Sequence, residues 1–333
     1  MKVVEAERLT GLLARAVADG AFAATDDQRE EAARVELDWA CHALLLERTL
    51  LELSAALEAA GVGHLVLKGP ASAHWLYPDP SWRCFGDIDV LVPGDRFDDA
   101  VAVVTARGGI RRYPEPRPGF VGRFGKGAAL VMPDGYEVDL HRTFVAGPLG
   151  IRIDLDGLFA TAVPLTIGDR RLSRLAAEEA FLHACYHAVL GSRVARLVPQ
   201  RDLAQMLLTT EVDLDRIHHL VAAWRGRAVM ARAVAGAWRS FALADDHALA
   251  VWTAGYDAGP AERRAMSVYL GDRRSYAGQA AAAVTAVPGW GGKAAYLRAV
   301  VFPRRGYLAE REGSYRRRLR HGLQLVRQLG QRS

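Results

Sequence analysis

Two aspartates one residue apart, Asp87 and Asp89, are the side chains in this sequence best placed to do chemistry. They open a short apolar segment that ends at Val92 and is typical of a buried β-strand. Because successive side chains of a strand point to opposite faces, both carboxylates share one face, while Ile88 and Val90 point the other way. Neighbouring carboxylates repel each other, and a divalent cation commonly stabilises such a pair. The spacing therefore predicts a cation site on a rigid core strand; two solvated acids at a strand end are the alternative.

The segment before this pair has features suited to binding phosphate. A predicted strand ends in Lys68-Gly69, and Pro70 fits the first turn of a following helix. Gly69 allows close approach of the backbone to a phosphate, toward which the helix directs free N–H groups and its positive dipole end. Lys68 and Arg83 are cations suited to meet a triphosphate, and Ser72 offers a hydroxyl donor. The segment therefore predicts a triphosphate site.

A third carboxylate lies on a predicted hairpin, in which two alternating arms flank a Pro-Asp-Gly turn at residues 133–135. On the second arm, Asp139 shares a face with His141, which either hydrogen-bonds Asp139 or simply ends the strand. Together, Asp87, Asp89 and Asp139 are suited to hold two Mg²⁺ ions, which in such sites clamp the attacking and leaving oxygens of an in-line displacement. This chemistry is phosphoryl or nucleotidyl transfer.

The order of elements predicts an α+β chain with a small mixed sheet. We expect N-terminal helices over residues 1–60 packing on a catalytic core over 61–170, followed by an α-helical substrate or nucleotide domain over 171–333. The segment 114–127 is rich in Pro, Gly and Arg and is long for a connection, so it is a candidate substrate loop or lid. Near the C-terminus, residues 315–329 are predicted to be helical.

The composition is that of an ordinary globular protein, with 50% hydrophobic and 24% charged residues in a chain of 333. A net charge of +5 does not by itself require a nucleic-acid partner. Three distant cysteines offer no disulfide framework. The sequence lacks a signal peptide and a long apolar span, so we expect a cytoplasmic protein that does not enter a membrane.

Four motifs resemble those of the uncharacterised nucleotidyltransferase family within the DNA polymerase β superfamily. They are L-K-G at 67–69, Y-x-D-P at 77–80, R-x-x-x-D-I-D-V-L-V at 83–92 and V-D-L-H at 138–141. Further along, His187 and the Arg-Asp-Leu sequence at 201–203 are similar to the histidine and aspartate of the family's helical domain.

The resemblance implies a polymerase-β-like core with a short mixed sheet and helices, followed by an α-helical domain. It implies transfer of a nucleoside monophosphate from an NTP, with ATP favoured, and release of pyrophosphate. Asp87 and Asp89 would bind both Mg²⁺ ions, and Asp139 would bind the catalytic ion and help to activate the acceptor. Lys68 and Gly69 would face the triphosphate.

The helical-domain residues His187 and Asp202 would contact the nucleotide. The chain departs from the superfamily pattern because Lys68-Gly69-Pro70 replaces the usual Gly-Ser turn. The role of Ser72 is therefore open, and more of the phosphate binding would fall to Lys68 and Arg83.

Several alternatives stay open from the sequence. The acceptor is expected to be a hydroxyl or phosphate of a small molecule or peptide. An arginine-rich C-terminal segment keeps RNA, including tRNA, as an alternative acceptor, and a non-catalytic nucleotide-binding scaffold is the third hypothesis. His183 and His187 have the spacing of a helical zinc pair but no evident third ligand. Asp202 could pair with Arg201 instead of a nucleotide.

Overall fold

The computed structural model describes residues 2–192, 196–244, 246–270 and 276–311. Its N-terminal part contains the helices α1 (Lys2–Ala6), α2 (Thr10–Ala18) and α3 (Asp26–Ala59). The long helix α3 begins at a capping box, in which the Thr25 side chain accepts from the Gln28 backbone and the Gln28 side chain accepts from the Thr25 N–H. This reciprocal cap fixes where α3 starts.

A mixed sheet with its connecting helices follows. Its elements are β1 (Leu65–Leu67), α4 (Lys68–Leu76), β2 (Ile88–Leu91), α5 (Phe97–Ala106), β3 (Ile110–Arg111), α6 (Phe120–Phe124), β4 (Gly127–Val131), β5 (Glu137–His141), α7 (Pro148–Ile151), α8 (Leu155–Ala160), β6 (Val163–Ile167) and β7 (Arg170–Arg174). Short 3₁₀ turns lie at Pro80–Trp82 and Gly94–Arg96.

Over the described residues the sheet has seven strands in the order β3-β4-β5-β2-β1-β7-β6. The pairs β2–β5 and β1–β7 are parallel, and the other neighbours are antiparallel. The predicted α+β fold with a mixed sheet is therefore confirmed. The central position of β2, between β1 and β5, places Asp89 beside both neighbouring strands.

The sheet is rigid where it carries these residues because its apolar side chains are fully buried. Ile88, Val90 and Val138 have no solvent exposure and pack with Leu46 and Leu50 of α3 in one hydrophobic cluster. Burial of such side chains contributes about 1.5–3 kcal/mol each. The long helix α3 thus packs against the apolar side chains of the sheet.

The remaining described chain is helical. Its helices are α9 (Ala177–Leu190), α10 (Leu197–Thr209), α11 (Leu214–Ala223), α12 (Arg227–Phe241), α13 (Ala248–Ala254), α14 (Pro260–Ser267), α15 (Tyr276–Ala283), α16 (Trp290–Val301) and α17 (Arg305–Arg311). The helix predicted over 315–329 lies outside the described residues. Within the described ranges, no helix combines the length and apolar character needed to cross a membrane.

The structure differs locally from two expectations, the domain boundary at residue 170 and the loop over residues 114–127. The strand β7 continues to Arg174, so the sheet extends past the predicted boundary at residue 170; the division into domains stays a prediction. The segment 114–127 contains α6 and contacts α16: the Phe120 ring packs at a tilt and the Phe124 ring edge-on against Tyr296, and Arg117 donates to the Phe302 carbonyl. It packs against the C-terminal helices in this conformation.

Candidate active site

Three adjacent strands bring the chemistry-bearing residues together. In the register of β1, β2 and β5, Leu67 lies opposite Asp89, and Asp89 lies opposite Asp139. Asp139 and His141 are two residues apart on β5 and therefore point to the same face. Ligand atoms of Asp89, Asp139 and His141 all lie within 4.8 Å of one another.

Asp89 is the centre of this group, with 1% of its surface exposed. Its Oδ1 accepts from the Lys68 ammonium at 2.7 Å and lies 2.7 Å from His141 Nε2. Its Oδ2 is also buried and has no hydrogen-bond partner among the described residues. A buried carboxylate oxygen without a partner is costly, so this atom is available to a ligand.

The protonation states follow from this geometry. Burial raises the pKa of Asp89, but the Lys68 charge and the His141 hydrogen bond more than offset it and hold the pKa well below its usual range. Burial, aided by the Lys126 charge, lowers the pKa of His141 to about 4, so the ring is neutral near pH 7. The neutral ring is therefore assigned as a donor from Nε2 to Asp89. From the sequence, His141 could either hydrogen-bond Asp139 or simply end the strand. In the structure its hydrogen-bond partner is Asp89.

Asp139 differs from Asp89 because it is half-buried and makes no ion pair with another described residue. Burial and the adjacent Asp89 charge raise the pKa of Asp139 to about 6. A second cation, Lys126, stands at the start of β4 and interacts electrostatically with Asp89 and Asp139. Burial and the Lys68 charge lower the pKa of Lys126. The sequence analysis missed Lys126; its place just before the strand that pairs with β5 was the available signal.

Asp87 stands apart from this cluster. Its carboxylate is 33% exposed and lies 3.4 Å from the Arg8 guanidinium, which comes from the connection between α1 and α2. The predicted trio of aspartates is thus divided in this conformation: Asp89 and Asp139 are together, and Asp87 faces Arg8. Arg8 was also missed by the sequence analysis, and no local pattern marks it.

The Lys68-Gly69 turn lies where the sequence predicted it. Lys68 has a left-handed φ of 39°, which is uncommon for a residue with a side chain, and Gly69 has φ 14° and ψ −105°, outside the helical region. The kink carries the chain from β1 into α4 and leaves the Lys68 ammonium directed at Asp89. Burial lowers the pKa of Lys68, but Asp89 and Asp87 outweigh this and raise it.

Arg83 and Asp202 bind each other. Arg83 donates from Nη2 to Asp202 Oδ2 at 2.6 Å and from Nε to Oδ1 at 3.0 Å, and both residues are at least 95% buried, with 3% and 5% exposed. The Tyr77 hydroxyl and Arg201 also donate to Asp202 Oδ1. The alternative pairing of Asp202 with Arg201 is therefore present, and Arg83 adds to it. Direct contact of Arg83 or Asp202 with a nucleotide stays a prediction.

Two cavities adjoin the site. One of about 210 Å³ is lined by Lys68, Gly69, Arg83, Asp87, Asp89 and His187, together with Arg8 and the residues Ala188, Ser192, Arg196, Val198 and Pro199. A narrower one of about 30 Å³ is lined by Ser72 and Asp202, with His187 again on its wall. The residues predicted to bind the nucleotide therefore line two neighbouring cavities that share Lys68 and His187, and Ser72 and Asp202 line only the smaller one. Burial holds the pKa of His187 well below its usual range, so a role as a neutral group is indicated.

The residues present fit a hard divalent cation. Asp89 Oδ2 is buried and unpaired within the described chain, and the Asp139 carboxylate is beside it. Carboxylate oxygens are the protein ligands that Mg²⁺ prefers. Asp87 lies outside this group, and its predicted role as a metal ligand stays a prediction. The rings of His183 and His187 are stacked with centroids 6.5 Å apart. Among the described residues, the group whose side chains could together hold a metal ion is Asp89, Asp139 and His141, which does not include this pair.

Comparison with known proteins gives one family match. A family model described as uncharacterised nucleotidyltransferase matches residues 1–238. The matched region extends from the N-terminal helices through the sheet and into α12, and it includes every residue discussed for the site. No curated protein matches the sequence.

Among solved structures, the chain is similar to ANT(2")-Ia in complex with adenylyl-2"-tobramycin, with 18% identity, coverage of 54% of this chain and 97% of that chain, and a TM-score of 0.37. It is similar to the lincosamide antibiotic adenylyltransferase LnuA bound to lincomycin, with 13% identity, coverage of 48% and 95%, and a TM-score of 0.33. An antigenic nucleotidyltransferase-like protein from Paracoccidioides brasiliensis shows 14% identity, coverage of 58% and 90%, and a TM-score of 0.32.

Proposed function

The chain belongs to the uncharacterised nucleotidyltransferase family, and from that premise we propose that it transfers a nucleoside monophosphate from an NTP to a small molecule or peptide. The reaction forms a bond between the α-phosphorus and an acceptor hydroxyl or phosphate oxygen, breaks the α–β phosphoanhydride bond, and releases pyrophosphate. ATP is the proposed donor, and Mg²⁺ is the proposed metal. The family membership agrees with the resemblance drawn from the motifs.

The observation that carries this proposal is the convergence of Asp89 on β2, Asp139 on β5 and Lys68, which directly follows β1. When Mg²⁺ is bound, it supplies charge neutralisation at the triphosphate oxygens. Asp89 and Asp139 are the residues proposed to hold it. Lys68 keeps Asp89 ionised and is proposed to contact the phosphates when the nucleotide is present. Asp139 is proposed to accept the proton of the acceptor hydroxyl.

The acceptor is proposed to occupy a third, larger cavity on the helical side. This cavity of about 1100 Å³ shares Ala188 and Ser192 with the cavity at the aspartates. Its walls include Gly236 of α12 and Tyr269, and its size exceeds that of the cavity assigned to the triphosphate. A small molecule or a peptide side chain fits such a volume.

The test combines binding and turnover. We expect the protein to bind an NTP only with Mg²⁺, and to release pyrophosphate when pools of hydroxylated small molecules or peptides are added with each of the four NTPs. Addition of EDTA should abolish both signals. Absence of metal-dependent NTP binding together with absence of pyrophosphate in every combination would contradict the proposal and favour a scaffold.

A further inference from the structure

Arg8 occupies a position at the site that neither the motifs nor the family description assigns. It belongs to the N-terminal connection between α1 and α2, yet its side chain lines the cavity of about 210 Å³ beside Lys68, Asp87 and Asp89. The side chain is one-third exposed, and its guanidinium lies 3.4 Å from Asp87. A residue 79 positions away in sequence is thus brought to the D-x-D motif.

The backbone that carries Arg8 is held in place by α10. Glu7 accepts from the Leu197 N–H at 2.8 Å and pairs with Arg196 at 3.3 Å, and the Arg8 carbonyl accepts from Arg201 at 3.0 Å. Arg8 itself has a left-handed φ of 50°, a conformation that costs on the order of 1 kcal/mol for a residue with a side chain. Such a strained residue persists because its surroundings determine its position.

The other cations of this cavity already have close carboxylate partners. Lys68 is 2.7 Å from Asp89, and Arg83 is 2.6 Å from Asp202. Arg196 is 3.3 Å from Glu7 and also donates to the Ala6 carbonyl. Arg8 makes the longest of these carboxylate contacts, at 3.4 Å, and is more exposed than Lys68 and Arg83. Its guanidinium therefore requires the least rearrangement to accept a new anionic partner.

We propose that Arg8 binds the β- or γ-phosphate of the incoming NTP, so that the N-terminal segment completes the triphosphate site. This inference rests on the proposed nucleotidyl transfer. Arg8 neutralises Asp87 while no nucleotide is present, and it turns from Asp87 to the phosphates when Mg²⁺ and an NTP arrive. The planar guanidinium is suited to this exchange because it binds carboxylates and phosphates with the same forked geometry.

The test measures the affinities of ATP, AMP and inorganic pyrophosphate, each with Mg²⁺, by calorimetry on the full chain. For Arg8→Ala we expect ATP and pyrophosphate to bind about 10- to 100-fold more weakly, the range expected for a lost charge-assisted hydrogen bond. AMP should bind as to the wild type because it lacks the β- and γ-phosphates. Arg8→Lys keeps the positive charge but not the forked guanidinium. Its affinities for ATP and pyrophosphate should therefore lie between those of the wild type and Arg8→Ala.

The matched control is Arg29→Ala, which removes an exposed arginine of α3 that pairs with Asp26. It should leave all three affinities unchanged. A loss of AMP binding equal to the loss of ATP binding in both Arg8 variants would overturn the proposal and assign Arg8 a structural role. Unchanged ATP binding with tighter Mg²⁺ binding would overturn it too, because Arg8 would then only occupy the metal site. A wild type that binds no NTP would instead contradict the proposed function itself.

Discussion

Asp89 is a buried carboxylate at the centre of a sheet, and its neighbours explain how it stays ionised there. Both Lys68 and His141 donate to the same oxygen, Oδ1, while Oδ2 is left without a partner in the described chain. Removing a charge from water is costly, and the ammonium offsets much of that cost. The one-sided pattern of bonds leaves Oδ2 as a buried, negatively charged atom that can bind a ligand.

The two central aspartates should respond differently to the same substitution. Asp139→Asn is expected to reduce pyrophosphate release at least 100-fold without lowering the free energy of unfolding, because burial and the Asp89 charge already oppose an ionised carboxylate there. Asp89→Asn should also abolish turnover but cost about 3–5 kcal/mol of stability, since it leaves Lys68 buried without its anion. Urea unfolding and a pyrophosphate assay measure the two effects.

Glu137→Gln is the control for these variants because Glu137 lies on the same strand but pairs with Arg112 at 2.5 Å. It should keep turnover within about threefold of the wild type, as a surface pair contributes little. Equal activity in Asp139→Asn and the wild type would remove Asp139 from the site.

The elements that position the site were predictable where a short apolar or alternating segment ends at turn residues. Strands β1, β2, β4 and β5 were predicted for this reason: β1 and β2 are short apolar segments, and β4 and β5 flank a Pro-Asp-Gly turn. The hairpin β6–β7 was missed because the sequence of β7, Arg-Arg-Leu-Ser-Arg, is polar on either side of Leu172. Arg8 and Lys126 were missed because their positions depend on tertiary packing, which leaves no periodic signal.

The Arg83–Asp202 pair joins the connection between α4 and β2 to α10. Asp202→Asn is expected to lower the free energy of unfolding by about 3–5 kcal/mol, because Arg83 then stays buried without its carboxylate. Urea denaturation measures this. Asp215→Asn, at the exposed start of α11, should change stability by less than about 0.5 kcal/mol.

The double variant Arg83→Met/Asp202→Leu tests whether Arg83 and Asp202 only stabilise the fold or also bind the nucleotide. A structural pair predicts that stability returns toward the wild-type value, since apolar residues of similar size can replace a buried pair, and that NTP affinity is preserved. Restored stability with weaker NTP binding would show instead that one of the two contacts the nucleotide, as the sequence analysis predicted.

At the scale of the whole molecule, the cavity at the aspartates and the larger cavity on the helical side share Ala188 and Ser192, and we propose that they hold the donor and the acceptor, respectively. The smaller one carries the acids and cations, and the larger one is walled by α12 and α14 with residues of mixed polarity. Part of the arginine-rich C-terminal segment, on which the RNA alternative rested, lies outside the described residues. The proposal of separate donor and acceptor sites therefore rests on the position of the cavities.

Filling the larger cavity should impair acceptor use and spare the donor. Gly236 of α12 lines this cavity, and a Cβ placed there would meet no atom closer than 3.9 Å, so Gly236→Phe is expected to fold. We predict unchanged Mg²⁺-dependent NTP binding with at least a tenfold rise in the KM of the acceptor. Gly236→Ala is the control and should behave as the wild type. Equal acceptor KM in both variants would place the acceptor elsewhere.

The most direct test of nucleotidyl transfer follows the two ends of the triphosphate separately. The reaction contains Mg²⁺, the acceptor and ATP labelled at either the α- or the γ-phosphate. For the wild type, we predict that the α-label moves to the acceptor and that the γ-label is released in pyrophosphate. For Asp139→Asn, we predict neither transfer of the α-label nor release of the γ-label. Transfer of the γ-label to the acceptor, or equal transfer of the α-label by Asp139→Asn, would contradict the account.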